Sequence, residues 1–310
     1  MAAYLSTREA YGKALVALGE KYDFYVLDAD LAKATQTAVF KASYPQRFFD
    51  MGIAEGDMIG TAAGMAAWGK TVFASTFAMF AAGRAYEQIR NSVAYPNLHV
   101  IVGATHGGVM IGEDGASHQC IEDLSLMRTV PNMTVIVPCD EASVYAAVEA
   151  AIQWSGPVYL RMGRTSSPPV YKGPAEFTIG KGNVLADGKD VAIFALGDLV
   201  YEALEARAQM RDQGVDAAVI DMHTVKPLDK ELVLLYAEKC GRIITAEDHS
   251  IIGGLGSAVA EVLAESAHAR LARVGVPDCF GHSGKRSDLQ AYFGLNAEGI
   301  VAAYQKWKKV

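Results

Sequence analysis

The sequence predicts an α/β protein of two domains, each a mostly parallel sheet covered by helices. Three features carry that prediction. Short apolar runs, rich in β-branched and aromatic residues, alternate with helical patterns, as strands buried on both faces require. The stretch 165–180, TSSPPVYKGPAEFTIG, interrupts the alternation with three prolines and a polar turn cluster. The alternation then resumes. This divides the chain into a domain at residues 1–172, a linker at 173–182 and a smaller domain at 183–310.

The first helix is expected to begin after Ser6, where Glu9 three residues on completes a capping box. Strands read at 24–27, 71–75, 98–103, 133–138 and 157–162, with helices near 58–67, 80–93 and 141–153 between them. Beyond the linker, strands read at 191–196, 217–221 and 242–246, and helices near 200–211, 230–240, 255–265 and 297–308. No short-period repeat or low-complexity segment breaks the pattern.

The 310 residues are about half apolar, enough to bury a core without staples. Lys and Arg number 28 against 35 Asp and Glu, a formal charge of −7, with no basic block. That balance argues against a nucleic-acid or membrane-surface binder. Cys120, Cys139, Cys240 and Cys279 show neither metal-ligand spacing nor a C-x-x-C, and read as the reduced thiols of a cytoplasmic protein. The start MAAYLSTREAYGKAL lacks the apolar centre of a signal peptide, and no window reaches the roughly 18 apolar residues of a membrane span.

Four segments hold candidate chemistry. In MGIAEGDMIGTAA (51–63) the acid Glu55 precedes a Gly/Ala-rich helix, where it can decorate the N-terminus or meet a flat ligand. In STFAMFAAGRAY (75–86) Phe77 and Phe80 stand three apart, one helix face, fit for core packing or for stacking a heteroaromatic ring. In THGGVMIGEDGASHQ (105–119) His106, Glu113, Asp114 and His118 crowd among glycines, a permissive loop carrying titratable groups. His106, Asp114 and His118 could ligate a metal by residue type, yet no third histidine or spaced cysteine pair accompanies them. Arg161 and Arg164 in YLRMGR follow a strand, where an arginine can hold an anion or make a surface ion pair. The glycines of AEDHSIIGGLGSA (246–258) lack G-x-G-x-x-G spacing and read as structural.

Taken together, GIAEGDMIGTAAGMA, STFAMF, HGGVMIGEDGASHQCIEDL, PNMTVIVPCD and YLR resemble the transketolase pyrimidine-binding domain, in order and spacing. IDMHTVKPLD and TAEDHSIIGGLGSA resemble the transketolase C-terminal domain. The resemblance covers essentially the whole chain. It implies a thiamine diphosphate enzyme transferring a two-carbon ketol unit from a ketose to an aldose. Glu55 matches the glutamate at the pyrimidine N1′, where a carboxylate favours the tautomer whose 4′-amino group acts as base. Phe77, Phe80, Ile53 and Asp30 match positions lining the cofactor. His106, Asp114 and His118 match sugar-contacting residues, with the histidines able to stabilise developing oxyanions and Asp114 reading a hydroxyl. Arg8 and Arg161 match arginines that hold a sugar phosphate.

Departures from the family matter as much. No GDG occurs in the chain, although a complete transketolase uses a GDG…N motif for the diphosphate and its Mg²⁺ (or Ca²⁺). The resemblance therefore implies a separate N-terminal subunit carrying that motif, in an α2β2 assembly. Ala34 stands where the family has a phosphate-binding serine, and Gly83 where it has a tyrosine beside the pyrimidine. Rivals are half of a 1-deoxyxylulose-5-phosphate synthase, which has YDR where this chain has ATHGG, and a 2-oxoacid dehydrogenase β subunit, which lacks GEDGxSHQ. A noncatalytic subunit of the same fold is the rival of another class.

Overall fold

A computed structural model describes residues 4–308. In the first half, helices α1 (Thr7–Gly19), α2 (Ala32–Thr35), α3 (Ala38–Ser43), α4 (Glu55–Ala67), α5 (Tyr86–Gln88), α6 (Asp123–Thr129) and α7 (Glu141–Gln153) alternate with strands β1 (Phe24–Asp28), β2 (Phe48–Asp50), β3 (Thr71–Phe77), β4 (Val100–Thr105), β5 (Thr134–Ile136) and β6 (Val158–Arg161). The second half holds β7 (Asn183–Ala186), β8 (Val191–Ala195), α8 (Leu199–Asp212), β9 (Ala217–Asp221), β10 (Thr224–Lys226), α9 (Lys230–Cys240), β11 (Arg242–Ser250), α10 (Leu255–Ser266), β12 (Arg270–Val276), α11 (Arg286–Phe293) and α12 (Ala297–Gln305). The expected fold class holds: two domains, each a mostly parallel sheet flanked by helices.

Local signals explain the helix starts. Ser6 and Glu9 form the expected capping box, with the Ser6 amide and hydroxyl donating to Glu9 at 2.8 and 2.6 Å. The helix expected near 80–93 is instead interrupted. Phe80–Arg84 and Ile89–Ala94 are π-helical turns on either side of α5, a local widening that often marks functional positions.

The first sheet runs β10-β5-β6-β4-β3-β1-β2. Its six first-half strands are parallel, and β10 pairs antiparallel to β5, with Thr224 opposite Ile136. The second sheet runs β12-β11-β8-β9-β7, with only β7 antiparallel. Side chains alternate across β1. Phe24 and Val26 pack toward α1 and α7 with Leu15, Leu18 and Val148, while Leu27 packs toward α4 with Met58 and Ile59. That second layer runs on into Phe194, Ile220 and Val259, so one apolar core joins the two sheets.

The proline-bearing stretch 165–180 is fastened down ahead of the linker. Ser166 bridges to Ser6, and the amides of Val170 and Tyr171 both donate to Asp140 at 2.9 Å. Among the described residues no helix is long and apolar enough to cross a membrane.

Candidate active site

Strand β1 has β2 on one side and β3 on the other, so chain connections leave it in opposite directions. In such sheets a crevice opens beyond the carboxyl ends of the strands at that reversal. Two residues just past strand ends there, Asp30 after β1 and His106 after β4, hold left-handed backbone, at φ 59° and 61°. Side-chain-bearing residues adopt that conformation uncommonly, Asp and His more readily than most.

The aromatic shelf forms, but not on a helix face. Phe77 ends β3 and Phe80 opens the first π-helical turn, yet their rings stack with centroids 5.5 Å apart. His106 lies flat on Phe77 at 3.8 Å. His118 stands edge-on to Phe80 at 5.4 Å and to Phe77 at 6.3 Å. Four of the residues singled out in sequence thus make one cluster. Burial, helped by the positive charge of Arg8 and Arg164 and by His118, pushes the His106 pKa down to about 3. His106 is therefore a neutral imidazole near neutral pH, with Nδ1 2.9 Å from the Thr105 hydroxyl.

Glu55 opens α4 and is only 4% exposed. A partner that sequence reading missed, Arg84, reaches it at 2.9 Å and covers the Phe80 ring at 4.0 Å. The two lie 29 residues apart in sequence, so no local pattern could pair them. Ile53 is 75% exposed just ahead of Glu55. Asp30 lines an open cavity with Lys33, Ala34 and Asp50, and so borders the crevice rather than joining the aromatic cluster.

The loop 105–119 is held from below by the second domain. The Asp248 carboxylate accepts from the amides of Val109 and Met110 at 2.9 and 3.1 Å. Gly108 is required there: at φ 85° a Cβ would fall onto that carboxylate. The Gln119 amide faces the carbonyls of Val109, Gly112 and His282 at 3.0–3.3 Å.

The arginines sort differently from the expectation. Arg161 packs beneath the site loop, lining a small cavity with Gly107 and Asp248. It is buried, donates through Nε to Asp123 at 2.8 Å, and through Nη2 to the carbonyls of Cys120 and Asp248. These contacts favour an anchoring role for Arg161 over the expected grip on a phosphate. Arg164, three residues on and half-buried, stands 3.5 Å from Asp114 instead. Arg8 donates to the carbonyls of Ala34 and Arg164 at 2.8 and 3.1 Å.

Models of known families agree with this geometry. The transketolase pyrimidine binding domain matches residues 3–169, and the transketolase C-terminal domain matches residues 180–300. The chain belongs to the transketolase family. Among solved structures, a split gene transketolase described as an inactive beta4 tetramer superposes with a TM-score of 0.91 at 51% identity, covering 97% of this chain and 98% of that one. The 6-deoxy-6-sulfo-D-fructose transketolase subunit of a Clostridium species is 44% identical over 96% of this chain and 92% of its own length. The 1-deoxy-D-xylulose-5-phosphate synthase 1 of Geobacter sulfurreducens is 39% identical over 94% of this chain, which spans 46% of that enzyme.

Domains of the transketolase family imply thiamine diphosphate dependence, and the donor set fits one end of that cofactor. The stacked Phe77 and Phe80 suit a pyrimidine ring, and the buried Glu55 carboxylate suits its N1′ edge. The chain contains no GDG, and among the described residues no three His, Cys, Asp or Glu side chains converge as metal ligands.

Proposed function

We propose that this chain is the C-terminal subunit of a thiamine-diphosphate-dependent transketolase, moving a two-carbon ketol unit from a ketose phosphate to an aldose phosphate. In this reading residues 1–172 are the pyrimidine-binding domain and 183–310 the C-terminal domain. A separate N-terminal subunit carries the GDG…N motif with Mg²⁺ (or Ca²⁺), and two copies of each chain assemble. The cofactor supplies the chemistry that breaks and remakes a carbon–carbon bond beside a carbonyl.

The chain's own residues take the remaining work. Phe77 and Phe80 stack the pyrimidine, Ile53 and Asp30 border it, and Glu55 holds the proton at N1′. His106, neutral because it is buried, donates to sugar oxygens without bringing charge, and His118 faces the same space. Asp114 reads a hydroxyl, and Arg8 holds the phosphate, with Arg164 in place of Arg161.

The observation that carries the reading is the shelf itself: four aromatic rings in contact at the sheet reversal, with a buried carboxylate beside it. The 51%-identical split gene transketolase is inactive as a tetramer of its beta chain, which supports both self-association and the need for a second subunit. The test is ketol transfer from a ketose phosphate to ribose 5-phosphate with thiamine diphosphate and Mg²⁺, by this chain alone and with its N-terminal partner. Activity in the mixture alone is expected. Full activity of the single chain defeats the split, and condensation of pyruvate with glyceraldehyde 3-phosphate in place of ketol transfer defeats the transketolase assignment.

A further inference from the structure

Beside Asp114 an open cavity of about 350 Å³ lies between the two domains. The first domain contributes Arg8 and Arg164 to its wall, and the second contributes Lys285 and Arg286. It lies toward the aromatic shelf, since Arg8 and Arg164 are the charges that act on buried His106.

Four cations line this cavity against one lining acid. Arg164 faces Asp114 at 3.5 Å, and Arg286 faces Asp198 at 3.5 Å. Arg8 donates to two carbonyl oxygens, and burial, then Arg164, works against its charge while Glu9 and Asp114 support it. The Lys285 side chain is exposed and makes no hydrogen bond or ion pair among the described residues. Lys285 is thus the cation left without a carboxylate, and the wall itself offers one acid, Glu113. Such an excess in a cleft attracts an anion.

The loop carrying Lys285 is preorganised by contacts that do not use the Lys285 side chain. Gln119 donates to the His282 carbonyl at 3.0 Å, and the Ser283 hydroxyl donates to the Glu113 carbonyl at 2.7 Å. Arg286 donates to the Thr165 hydroxyl at 2.8 Å and to the Ser166 carbonyl at 2.5 Å. Arg286 is thus a fastener, and Lys285 is the cation left to meet a ligand. Its ammonium suits a tetrahedral oxyanion as a point charge on a flexible stem.

We propose that Lys285 is a specificity residue: it binds the terminal tetrahedral oxyanion of the sugar substrate together with Arg8 and Arg164, so the C-terminal domain takes part in substrate recognition. This rests on the ketol-transfer reading above.

The test uses the assembled complex with cofactor and metal, comparing wild type with Lys285→Ala and Lys285→Arg on ribose 5-phosphate and on ribose. In Lys285→Ala the ratio of kcat/KM for the phosphorylated over the unphosphorylated aldose should fall roughly tenfold, through KM, as loss of one charge-assisted contact implies. Lys285→Arg should recover most of the ratio. An unchanged ratio, or an equal loss on both aldoses, overturns the proposal. A second readout is independent of turnover: inorganic phosphate titrated into the full chain by calorimetry. Lys285→Ala should bind at least fivefold more weakly, and equal binding overturns the proposal. An inactive complex whose chain still binds phosphate through Lys285 would remove the ketol-transfer reading and leave the anion site standing.

Discussion

Arg84 closes on Glu55 at 2.9 Å while its guanidinium lies 4.0 Å over the ring of Phe80. One side chain therefore occupies both the carboxylate and the aromatic face that the proposed reading gives to a pyrimidine. Arg84 is half exposed and Glu55 is buried, so the arginine can swing into solvent but the acid cannot. Arg84→Ala should destabilise the cofactor-free chain by about 1 kcal/mol, discounted for the exposed partner, as read by urea denaturation. It should also tighten cofactor binding by the assembled complex, because a competitor for Glu55 is gone. Weaker cofactor binding would show that Arg84 helps hold the ligand.

Glu55 itself is the residue whose chemistry is most exposed to test. Glu55→Gln keeps the shape and loses the charge. In the assembled complex kcat should fall by about 10²–10⁴, the range for a positioned proton-transfer group. An unchanged rate in the folded complex would end the catalytic reading of the shelf.

Arg161 and Arg164 should behave as opposites. Arg161→Ala strands buried Asp123 and should destabilise the fold by about 3–5 kcal/mol, seen as a lower midpoint in denaturant. Arg164→Ala leaves that network intact and should raise KM for a phosphorylated substrate severalfold with a near-normal Tm. A stable, KM-defective Arg161→Ala would reverse the assignment.

His106 gives a pH signature. Its folded pKa is depressed to about 3, below the unfolded value near 6.5, so folding favours the neutral ring. That contribution is complete above about pH 6.5 and is lost as pH falls toward 3, by up to about 1.4 kcal/mol per unit. Relative to wild type, His106→Gln should therefore lose stability less steeply between pH 6 and 4. Nitrogen-15 shifts of His106 that titrate near pH 6.5 would contradict the buried neutral ring.

Gly108→Ala tests the support under the site loop. The added methyl meets the Asp248 carboxylate, so the amides of Val109 and Met110 must leave it. Activity of the complex should drop at least tenfold, with the first sheet's slow-exchanging amides retained. Wild-type activity would show that the loop does not need this anchor.

Much of this was written locally. The Ser6 and Glu9 box fixes where α1 starts, and α7 runs over the expected span because Asp140 caps its first turn. Four strands were missed in sequence, and one of them, Arg270–Val276, is seven residues long but lies at a sheet edge with two arginines in it; the others have weaker local signals. Phe48–Asp50 and Thr224–Lys226 are three residues long, and Asn183–Ala186 is an edge strand with a register shift. Within the site, the histidines and phenylalanines were legible from their crowding in short glycine-bearing segments. The direction of Arg161 was not, since being the last residue of β6 does not say which face it takes. Partners 29 residues apart, such as Glu55 and Arg84, or in different domains, such as Asp248 and the amide of Val109, exist only once the chain has folded.

Strand β10 belongs by sequence to the second half and by pairing to the first sheet. A gene cut between the halves, at 173–182, would send that strand away with the wrong product and leave the edge of β5 bare. The two halves are thus a single unit of exchange: a hybrid that swaps only one half must also find a substitute for three residues it never encoded.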